Sequence, residues 1–523
     1  MSLRKFALAA TTALVLTAPA AWAEDLVIAV ASEATSMDPH FHNTGNNNQI
    51  MRHIYDRLIN QGPNQELLPG LAESWGPTDD PNVWEFNLRQ GVTFHDGTPF
   101  TADDVAFTLG RAGDVPNSPS GFGTYTADIA SVEVVDDHTV RIHTDAPVPL
   151  MANNLSTISI VSRAHGEGAT TEQYNAGDVA IGTGPYRQTE YVPGDRIVME
   201  ANPDYWGEAP AWDTVTVRPI SSSASRVAAL LAGDVDVIAN VPTADIAQLE
   251  DNPDVSLSQG VSNRVIYLHL DSDREQTPMI TEIGGGEIQN PLLDQRVREA
   301  LSLAIDREAI VEEVMEGIAI PAGQLLPEGF FGVSDNIDVP EYDPERAQEL
   351  LAEAGYGDGF AVTLHGPNDR YINDAAVLQA IAQMFSRIGL ETQVDAMPRS
   401  VYFGRASDLE FSVMLVGWGS GTGEASSPLR ALIATNNPDL GWGASNRGRY
   451  SNPEFDAILT EALQTVNDAE REALLAQATE IAMQDIAIIP THFQVNTWGT
   501  RPDLQYIPRT DEYTLAIGVV PAD

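Results

Sequence analysis

The sequence predicts a mixed α/β protein of about three domains. Short runs with the pattern of strands alternate along the whole chain with amphipathic segments that have the pattern of helices, as in mixed α/β domains. The chain has 523 residues, and 43% of them are apolar. This length and composition suffice for a substantial core and for several domains of ordinary size. The sequence shows no internal repeat and no low-complexity linker.

Strands are predicted where β-branched and aromatic residues alternate with polar ones, or where short apolar runs are bounded by turns. In chain order, the predicted strands lie at 25–31 and 83–89, in a hairpin over 132–144, at 196–201, just after Gly233, at 360–365 and at 413–416.

Helices are predicted from apolar positions spaced three and four residues apart, and from capping residues. Thr101 and Asp104 form a capping box, and Asp343 opens a helix that Gly355 ends. The predicted helices lie at 49–59, at 101–111, from 225 to Gly233, at 293–317, 343–355 and 375–389, with two more within 453–484.

The first 23 residues have the three parts of a secretory signal peptide. A basic start with Arg4 and Lys5 precedes a short alanine-rich apolar run, and Ala21-Trp22-Ala23 forms a cleavage site before Glu24. We therefore expect a periplasmic protein whose mature chain begins at Glu24. No cysteine follows that could carry a lipid, and no later apolar run reaches the length of a membrane span, so we expect no direct membrane anchor.

The charge of the chain excludes several kinds of chemistry. There are 28 Lys and Arg against 75 Asp and Glu, a net charge of −47, and the one lysine, Lys5, lies in the signal peptide. A mature chain without lysine cannot use a lysine Schiff base, a P-loop lysine or a Ser-x-x-Lys nucleophile. So negative a protein also repels nucleic acid and anionic membranes. We predict a solvated acidic surface and no nucleic-acid partner.

The cysteine and histidine content argues against metal sites and cofactors. The sequence contains no cysteine, which excludes disulfides, thiolate zinc sites and iron–sulfur clusters. The ten histidines are scattered, and the closest pair, His40 and His42, would point to opposite sides of a strand. We therefore expect neither a metal nor a cofactor.

The segment VGWGSGTGEASSPLRAL, residues 416–432, places glycine at 417, 419, 421 and 423 directly after the apolar run FSVMLV. No frame has the first, third and sixth glycines of a dinucleotide site, and no lysine is present for a P-loop. A Gly-x-Ser-x-Gly elbow would need glycine where Trp418 stands. We interpret the segment as a flexible loop that exposes its backbone beside one large aromatic side chain, at the floor of a ligand pocket.

Six segments spread over the mature chain carry a further pattern. They are LLPGLAESW (67–75), WEFNLRQGVTFHDGTPFTADDVAFTL (84–109), GTGPYR (182–187), NPDYW (202–206), VREALSLAIDREAIV (297–311) and YDPERAQELLAEAGY (342–356). In this order they resemble the dipeptide-, oligopeptide- and nickel-binding class of bacterial periplasmic solute-binding proteins, extracellular solute-binding family 5. The segment over 84–109 is the most specific of the six, and the strand–Trp–glycine loop fits as well.

The resemblance implies a two-lobed, clamshell fold of three domains, with mixed sheets flanked by helices and a ligand enclosed between lobes that rotate about crossing strands. Domain I is implied to be discontinuous, at 24–60, 186–262 and 494–523. Domain II is placed at 61–185, and domain III, the second lobe, at 263–493. The resemblance further implies a binding protein without enzymatic activity that delivers its ligand to an ABC permease and ATPase complex in the inner membrane. We expect it to be a monomer.

The resemblance also suggests ligand-binding residues in the glycine loop. Peptide-binding relatives carry an aspartate three residues after the tryptophan, where it pairs with the α-ammonium of the ligand; here that position is Gly421. Glu424 could take its place if the loop bends, or it could be a solvated loop carboxylate. The Gly421–Ala425 pattern is similar to glutathione-binding members. Trp418 is expected to stack on the ligand or, alternatively, to belong to the core behind the loop.

Three further candidates lie outside the loop. Arg370 stands where dipeptide-binding relatives place an arginine for the ligand carboxylate, a task suited to its bidentate fork. The alternative is a surface arginine paired with Asp369 or Asp374. Tyr402 and Asn43 are weaker candidates for ligand contact.

The sequence leaves the ligand itself open. A small peptide or peptide-like solute is the leading prediction, and glutathione, an opine and an oligosaccharide are alternatives. Nickel is disfavoured because the 416–432 loop contains no histidine. A secreted carboxylate-based hydrolase is the alternative from another class, since 75 acidic residues always supply close pairs, but no spacing motif supports it. A sensory partner in place of a permease cannot be distinguished by sequence.

Overall fold

The computed structural model describes residues 25–522, so the predicted signal peptide and its cleavage site lie outside the described residues. Within this range the chain forms twenty strands. They are β1 (Asp25–Val30), β2 (Ile59–Gln61), β3 (Leu67–Pro69), β4 (Ala72–Pro77), β5 (Val83–Leu88), β6 (Ser131–Asp136), β7 (Thr139–His143), β8 (Tyr186–Val192), β9 (Arg196–Ala201), β10 (Thr214–Pro219), β11 (Val237–Ile238), β12 (Ser256–Leu270), β13 (Ile280–Thr281), β14 (Ala319–Pro321), β15 (Ala361–Pro367), β16 (Glu391–Met397), β17 (Val413–Gly419), β18 (Ile488–Thr500), β19 (Leu504–Tyr506) and β20 (Val519–Pro521).

Sixteen α-helical segments lie between the strands in the same range. They are α1 (Gly45–Ile54), α2 (Ala102–Ala112), α3 (Gly123–Thr126), α4 (Met151–Leu155), α5 (Arg163–Gly166), α6 (Thr171–Ala176), α7 (Ser223–Ala232), α8 (Thr243–Glu250), α9 (Gln295–Leu303), α10 (Arg307–Ala309), α11 (Pro344–Glu353), α12 (Asp374–Arg387), α13 (Arg399–Ser407), α14 (Ser426–Pro428), α15 (Pro453–Ala462) and α16 (Asp468–Gln484). Short 3₁₀ turns (Pro291–Leu293, Pro438–Leu440, Ala516–Gly518) and two π-helical turns (Ile310–Val314, Leu429–Ile433) complete them.

Twelve strands form one mixed sheet in the order β13-β15-β17-β12-β18-β11-β1-β10-β9-β8, with β14 beside β18 and β16 beside β15. The two long antiparallel strands, β12 and β18, have 15 and 13 residues. We call β1 and β8–β11 the N-side strands, and β13 and β15–β17 the C-side strands. Because β18 pairs with β11 at one end and β12 pairs with β17 at the other, these two strands join both sides.

On the C side the sheet is covered on both faces, which explains its continuous apolar runs. Successive residues of β12 alternate between two cores: Ile266 and Leu268 lie in one, and Val265 and Tyr267 lie in the other. Helices α9, α11 and α12 contribute to the first core, and α13, α15 and α16 contribute to the second. Residues 413–416 of the run FSVMLV are therefore all apolar, because both faces of the strand are buried at these positions.

A separate antiparallel sheet, in the order β4-β5-β7-β6, lies in the first third of the chain. Trp84, Phe86 and Leu88 of β5 alternate inward and pack against α2. The predicted capping box of Thr101 and Asp104 is confirmed at the start of α2. The mixed α/β prediction is thus confirmed in both sheets.

Two predicted helices are wrong in part. The helix expected over 49–59 ends at Ile54, because Tyr55 adopts extended backbone angles and the chain then pairs as β2 with β3. The apolar spacing of this segment suits either element, and strand pairing with distant residues decided between them. The helix expected over 293–317 is broken after Leu303, where Asp306 turns outward and caps a new helical turn through the N–H of Ala309.

Candidate functional site

The crossing strands change register where they pass between the two sides of the sheet. β12 and β18 pair in register up to Val261 and pair again from Val265, with a second shift between Ile266 and Tyr267. Ser262, Asn263 and Arg264 therefore leave the ladder with β18, and irregularities of this kind re-aim side chains next to functional sites. These three polar residues lie at the junction between the N side and the C side.

The glycine segment begins as part of a strand. β17 continues through Trp418 to Gly419, which pairs with Arg264 of β12. The chain then leaves the sheet as a loop over 420–425, which we call the site loop. Register thus places the start of the site loop directly beside the polar triplet of β12.

Side-chain amides from distant parts of the chain hold the backbone of the site loop. Its carbonyls accept hydrogen bonds from Gln65 Nε2 to Ser420 O (2.9 Å), Gln61 Nε2 to Gly421 O (3.2 Å), Asn153 Nδ2 to Thr422 O (2.9 Å) and Asn263 Nδ2 to Ser420 O (2.6 Å). The loop therefore bridges the C side to residues 61–65 and 153. Its carbonyls are already engaged, so they are poorly placed to receive a ligand amine.

Gly421 is exposed, although Ser420 and Thr422 on either side of it are buried. A Cβ atom at this position would lie 3.5 Å from the hydroxyl of Tyr125. Tyr125 in turn is within hydrogen-bonding reach of Asn43, and burial raises the pKa of its hydroxyl. Asn43 also accepts a hydrogen bond from Asn48 of α1. Phenol and amide groups thus face Gly421, where a carboxylate would be needed to receive an ammonium group.

Arg370 also reaches this region. Its guanidinium lies over the ring of Tyr371 at 5.2 Å, and the Tyr371 hydroxyl donates to Gly417 O of β17 (3.2 Å). Asp374 accepts the backbone N–H of Arg370 instead of pairing with its guanidinium. Among residues 25–522, Arg370 forms no salt bridge with any carboxylate.

Arg370 has the character of a group that lines a cleft. Its side chain keeps water-accessible surface, yet the surrounding protein lowers the pKa of the guanidinium, first by desolvation and then through the charge on Arg264. We call the region bordered by Arg370, the site loop and residues 509–513 the cleft. A cation held here without a partner is available for an anionic ligand.

Arg264 and Glu512 form a two-pronged ion pair at this border, with both Nε–Oε1 and Nη2–Oε2 at 2.9 Å. Ser262 donates a third hydrogen bond to Glu512 (2.7 Å). Burial works against the charge on Glu512, but Arg264 and Ser262 outweigh it, so its pKa lies below the ordinary value. Glu512 adopts φ +67°, a left-handed conformation that non-glycine residues adopt mainly where surrounding contacts require it.

The neighbouring acid, Asp511, belongs to a second group of charges. Arg509 Nη2 lies 2.6 Å from Asp511 Oδ2, and Arg52 Nη1 of α1 lies 3.7 Å from the same oxygen. Arg52 also lies over the ring of Tyr513 at 5.1 Å and donates to the Gln61 side chain. Since Gln61 bonds Gly421 O, this second group adjoins the site loop.

The cleft therefore has an excess of positive charge. Five guanidinium groups lie here, those of Arg52, Arg57, Arg264, Arg370 and Arg509, and among residues 25–522 the carboxylates that form ion pairs with any of them are Asp511 and Glu512. Both carboxylates are bound to arginines. In a chain with a net charge of −47, a local cationic surplus favours an anionic ligand.

Glu424, a predicted ligand residue, has a different set of contacts. Only 2% of its side chain is exposed, and its two oxygens contact Arg471 of α16 and the hydroxyl of Ser426. Burial raises the pKa of this carboxyl, and Arg471 opposes the rise. Phe331 lies beside it, with Arg471 4.2 Å from its ring. These contacts make Glu424 an internal anchor for the end of the site loop, and its selection as an amine acceptor is not supported.

Trp418 and Tyr402 also lie on the core side of β17. Trp418 is half-buried against the second core, and its Nε1 is sealed from water without a hydrogen-bond partner. Tyr402 is fully buried, with its hydroxyl donating to Leu415 O (2.8 Å) and its ring stacked on Phe411. Of the six predicted residues, the structure thus brings Arg370, Gly421 and Asn43 to the cleft. It places Glu424 and Tyr402 in the interior, and Trp418 between the two.

Several cleft residues were not found by sequence reasoning. Arg52, Arg57 and Arg264 carry no motif, and Tyr125 and Glu512 lie far from any recognised segment. One signal was available: Ser262-Asn263-Arg264 places three polar residues directly before the mostly apolar run at 265–270. A second signal was the presence of arginine, because basic residues are few in so acidic a chain.

Residues 25–522 contain neither a candidate membrane span nor a candidate metal site. No helix in this range combines the length and the apolar character that crossing a membrane requires. The same range contains no group of three or more His, Asp or Glu side chains arranged to hold a metal ion.

Comparison with known proteins places the chain in a family. The profile of bacterial extracellular solute-binding proteins, family 5 middle, matches residues 66–439. The glutathione-binding protein GsiB of Escherichia coli (strain K12) is 31% identical over 485 residues, which cover 90% of this chain and 88% of GsiB.

Solved structures show the same architecture. HbpA2 from Haemophilus parasuis superimposes with a TM-score of 0.81 at 26% identity, covering 95% of this chain and 100% of that one. The ABC transporter-associated periplasmic binding protein DppA from Helicobacter pylori, in complex with the peptide STSA, gives 0.77 at 25% identity, covering 95% and 98%. The clamshell fold implied by the sequence resemblance is confirmed.

Proposed function

The chain belongs to the family 5 bacterial extracellular solute-binding proteins, and from this premise we propose that it captures peptide-like anions through Arg370 in the cleft. Its role is that of a periplasmic substrate-binding component of an ABC importer. At the level of the family these are transport proteins and not enzymes. The identity of the solute is inferred from the residues of the cleft.

The proposal depends on the Arg370 guanidinium. Arg370 presents a guanidinium to the cleft, and no carboxylate among residues 25–522 pairs with it. Arg370 lies at a water-accessible border beside a second arginine, Arg264, which supports a ligand carboxylate as its partner. Arginine binds carboxylates through two parallel hydrogen bonds, which fixes the orientation of the ligand as well as its charge.

The cleft offers little to an α-ammonium group. Its two carboxylates, Asp511 and Glu512, are both bound to arginines, and the carbonyls of the site loop accept amide hydrogen bonds. Gly421 supplies no side chain. A buried ammonium without a counter-charge is unfavourable, so we expect simple dipeptides to bind less tightly than solutes with a net negative charge. Glutathione, the ligand in the name of GsiB, has such a charge at neutral pH.

Replacing Arg370 by alanine is expected to weaken solute binding about 10- to 100-fold, since a hydrogen bond to a charged group contributes roughly 1.5–3 kcal/mol. Native mass spectrometry of the purified protein first identifies the solute that it carries, and calorimetry then compares wild type with Arg370→Ala. Arg346→Ala is the control, because Arg346 pairs with Glu349 and Glu353 on the outer face of α11. Unchanged affinity in Arg370→Ala would contradict the carboxylate role.

Ligand binding is also expected to make the protein more compact without changing its secondary structure. The hydrogen bonds from Gln65 and Asn153 to the site loop connect parts of the chain that must separate when a clamshell opens. Small-angle scattering should show a smaller radius of gyration at saturating solute, with an unchanged far-UV circular dichroism spectrum. Gln65→Ala combined with Asn153→Ala should require more ligand for the same compaction. Equal radii with and without solute would argue against closure.

The remaining assignments extend the same proposal. We propose the division into domain I (24–60, 186–262, 494–523), domain II (61–185) and domain III (263–493). The separate β4–β7 sheet falls inside the second, and the polar triplet of β12 falls at the boundary of the first and third, in support of this division. We also propose export by a signal peptide cleaved before Glu24, and delivery by a monomer to a permease and ATPase complex.

A further inference from the structure

Arg57 is a buried cation without a hydrogen-bond or ion-pair partner in the part of the chain that the structure describes. It is 4% exposed, and its Nε is sealed from water with no hydrogen bond. Among residues 25–522, no carboxylate lies within ion-pair distance of its guanidinium and no group hydrogen-bonds to it. Burying an unpaired charge is costly. An arrangement of this kind is accounted for if a ligand supplies the missing anion.

The backbone directs Arg57 toward the cleft. The chain is extended here, and Arg57 forms a β-bridge with Ser159. Successive side chains of an extended segment point to opposite sides. The preceding Asp56 is held on one side by Thr183 (2.9 Å) and Trp206 (2.7 Å). Arg57 therefore points to the other side, where Arg52, Tyr513 and Asp511 lie.

The neighbours of Arg57 do not neutralise it. Desolvation lowers its pKa to about 9, and the positive charge of Arg52 is the next largest cause. Two carboxylates attract the Arg57 guanidinium, and both have other partners. Asp56 accepts hydrogen bonds from Thr183 and Trp206 on the opposite side, and Asp511 is bound by Arg509 at 2.6 Å and lies 3.7 Å from Arg52. Arg52 and Arg57 thus lie near a carboxylate, Asp511, that Arg509 already binds. Positive charge therefore exceeds negative charge at this end of the cleft.

We propose that Arg57, together with Arg52, holds a second anionic group of the solute, so that the preferred ligand is a peptide-like dicarboxylate. One carboxylate pairs with Arg370 and the other with Arg57. This inference rests on the proposed function, and it adds the number of anionic groups that the ligand carries. It also explains why the cleft contains a cationic surplus larger than a single carboxylate would need.

The first test uses stability. In the absence of solute, Arg57→Met should unfold at the same temperature as wild type or at a higher one, because it removes an unpaired buried charge. Arg307→Met is the matched control. Arg307 is equally buried, but it donates to Pro490 O, Ser302 O and the Ser302 hydroxyl. Replacing it leaves these buried acceptors without a hydrogen-bond donor, which should lower the unfolding temperature.

The second test uses specificity. Calorimetry on the full chain compares glutathione, which has two carboxylates, with its two monoamides, which have one each. Wild type should bind glutathione more tightly than at least one monoamide, by about tenfold or more. In Arg57→Met the affinity for glutathione should fall to that of this monoamide, and the difference between the two should disappear.

The results separate two kinds of failure. A preference for glutathione that survives Arg57→Met overturns the second subsite, and so does an unfolding temperature that falls as far in Arg57→Met as in Arg307→Met. A wild type that binds peptide-like solutes but does not distinguish glutathione from either monoamide also defeats the dicarboxylate inference while leaving the proposed function intact. A wild type that binds no peptide-like solute defeats the proposed function itself.

Discussion

Replacing Arg471 by methionine is expected to destabilise the protein by about 3–5 kcal/mol, the cost of leaving the partner of a buried ion pair uncompensated. Glu424 is 2% exposed and Arg471 7% exposed, and they contact each other directly. With Arg471 gone, Glu424 keeps a single side-chain hydrogen bond, from Ser426, in an otherwise apolar setting beside Phe331 and Leu475. The unfolding free energy from urea titration is the measurement.

A second variant separates lost charge pairing from lost packing. Adding Glu424→Gln to Arg471→Met removes the stranded charge, so the double variant should recover part of the lost stability. Arg346→Met, on the exposed face of α11, is the control and should leave stability unchanged. Glu424→Gln alone should lower stability without changing the preference between amine-bearing and amine-free solutes. If the double variant is less stable than Arg471→Met, the account of Glu424 as a buried charge is wrong.

Stability is expected to fall steeply as the pH drops from about 6.5 toward 4. Burial lowers the pKa of His40, His53 and His492 to about 4 and that of His269 to about 3, against an ordinary value of 6.5. Between these values the unfolded chain binds protons that the folded protein cannot accept, so acid favours unfolding. Above pH 6.5 these histidines are neutral in both states, and their contribution is constant. Each one contributes about 1.4 kcal/mol per pH unit within the window.

Carboxyl groups with shifted pKa values change how much stability is lost in acid. They do not reverse the loss just below pH 6.5. Burial raises the pKa of four carboxyl groups, which take up protons more readily when folded and oppose part of the loss: Asp56, Asp104, Asp374 and Glu424. The lowered pKa of Glu512 acts in the same direction as the histidines, but at lower pH.

His53 allows this pH dependence to be tested at a single residue. Its Nδ1 donates to Gln49 O and its Nε2 accepts the N–H of Ala516, both at 2.9 Å, so the ring must be neutral to make both bonds. His53→Gln keeps an acceptor for Ala516 but cannot take up a proton. The slope of unfolding free energy against pH, measured between 6.5 and 4.5, should decrease by about 1.4 kcal/mol per pH unit in this variant. An unchanged slope would show that His53 is already protonated in the folded protein.

Much of the local structure could be predicted from the sequence. The capping box at Thr101, the start of α11 at Pro344 and the end of α7 before Gly233 depend on residues within one helical turn, and all three are confirmed. The alternation of buried residues in β5 is likewise local. Where a segment had two acceptable local states, as at 55–59, pairing with a distant strand decided between them, and the sequence pattern contained no information about that partner.

By itself, then, the sequence determined the α/β class, the family, the acidic and lysine-free character, and Arg370 and Gly421 as candidates. Only the tertiary structure determined which charged side chains lie close to one another. Residues 52, 57, 264, 370, 509 and 512 are separated by up to hundreds of positions, and the crossing of β12 and β18 brings them to one cleft. It also paired Glu424 with Arg471, 47 residues away, and left Arg57 and Arg370 without an ion-paired carboxylate among residues 25–522. The physical reason is that Coulomb interaction and desolvation depend on distance and burial in space, which residue type and local spacing do not encode.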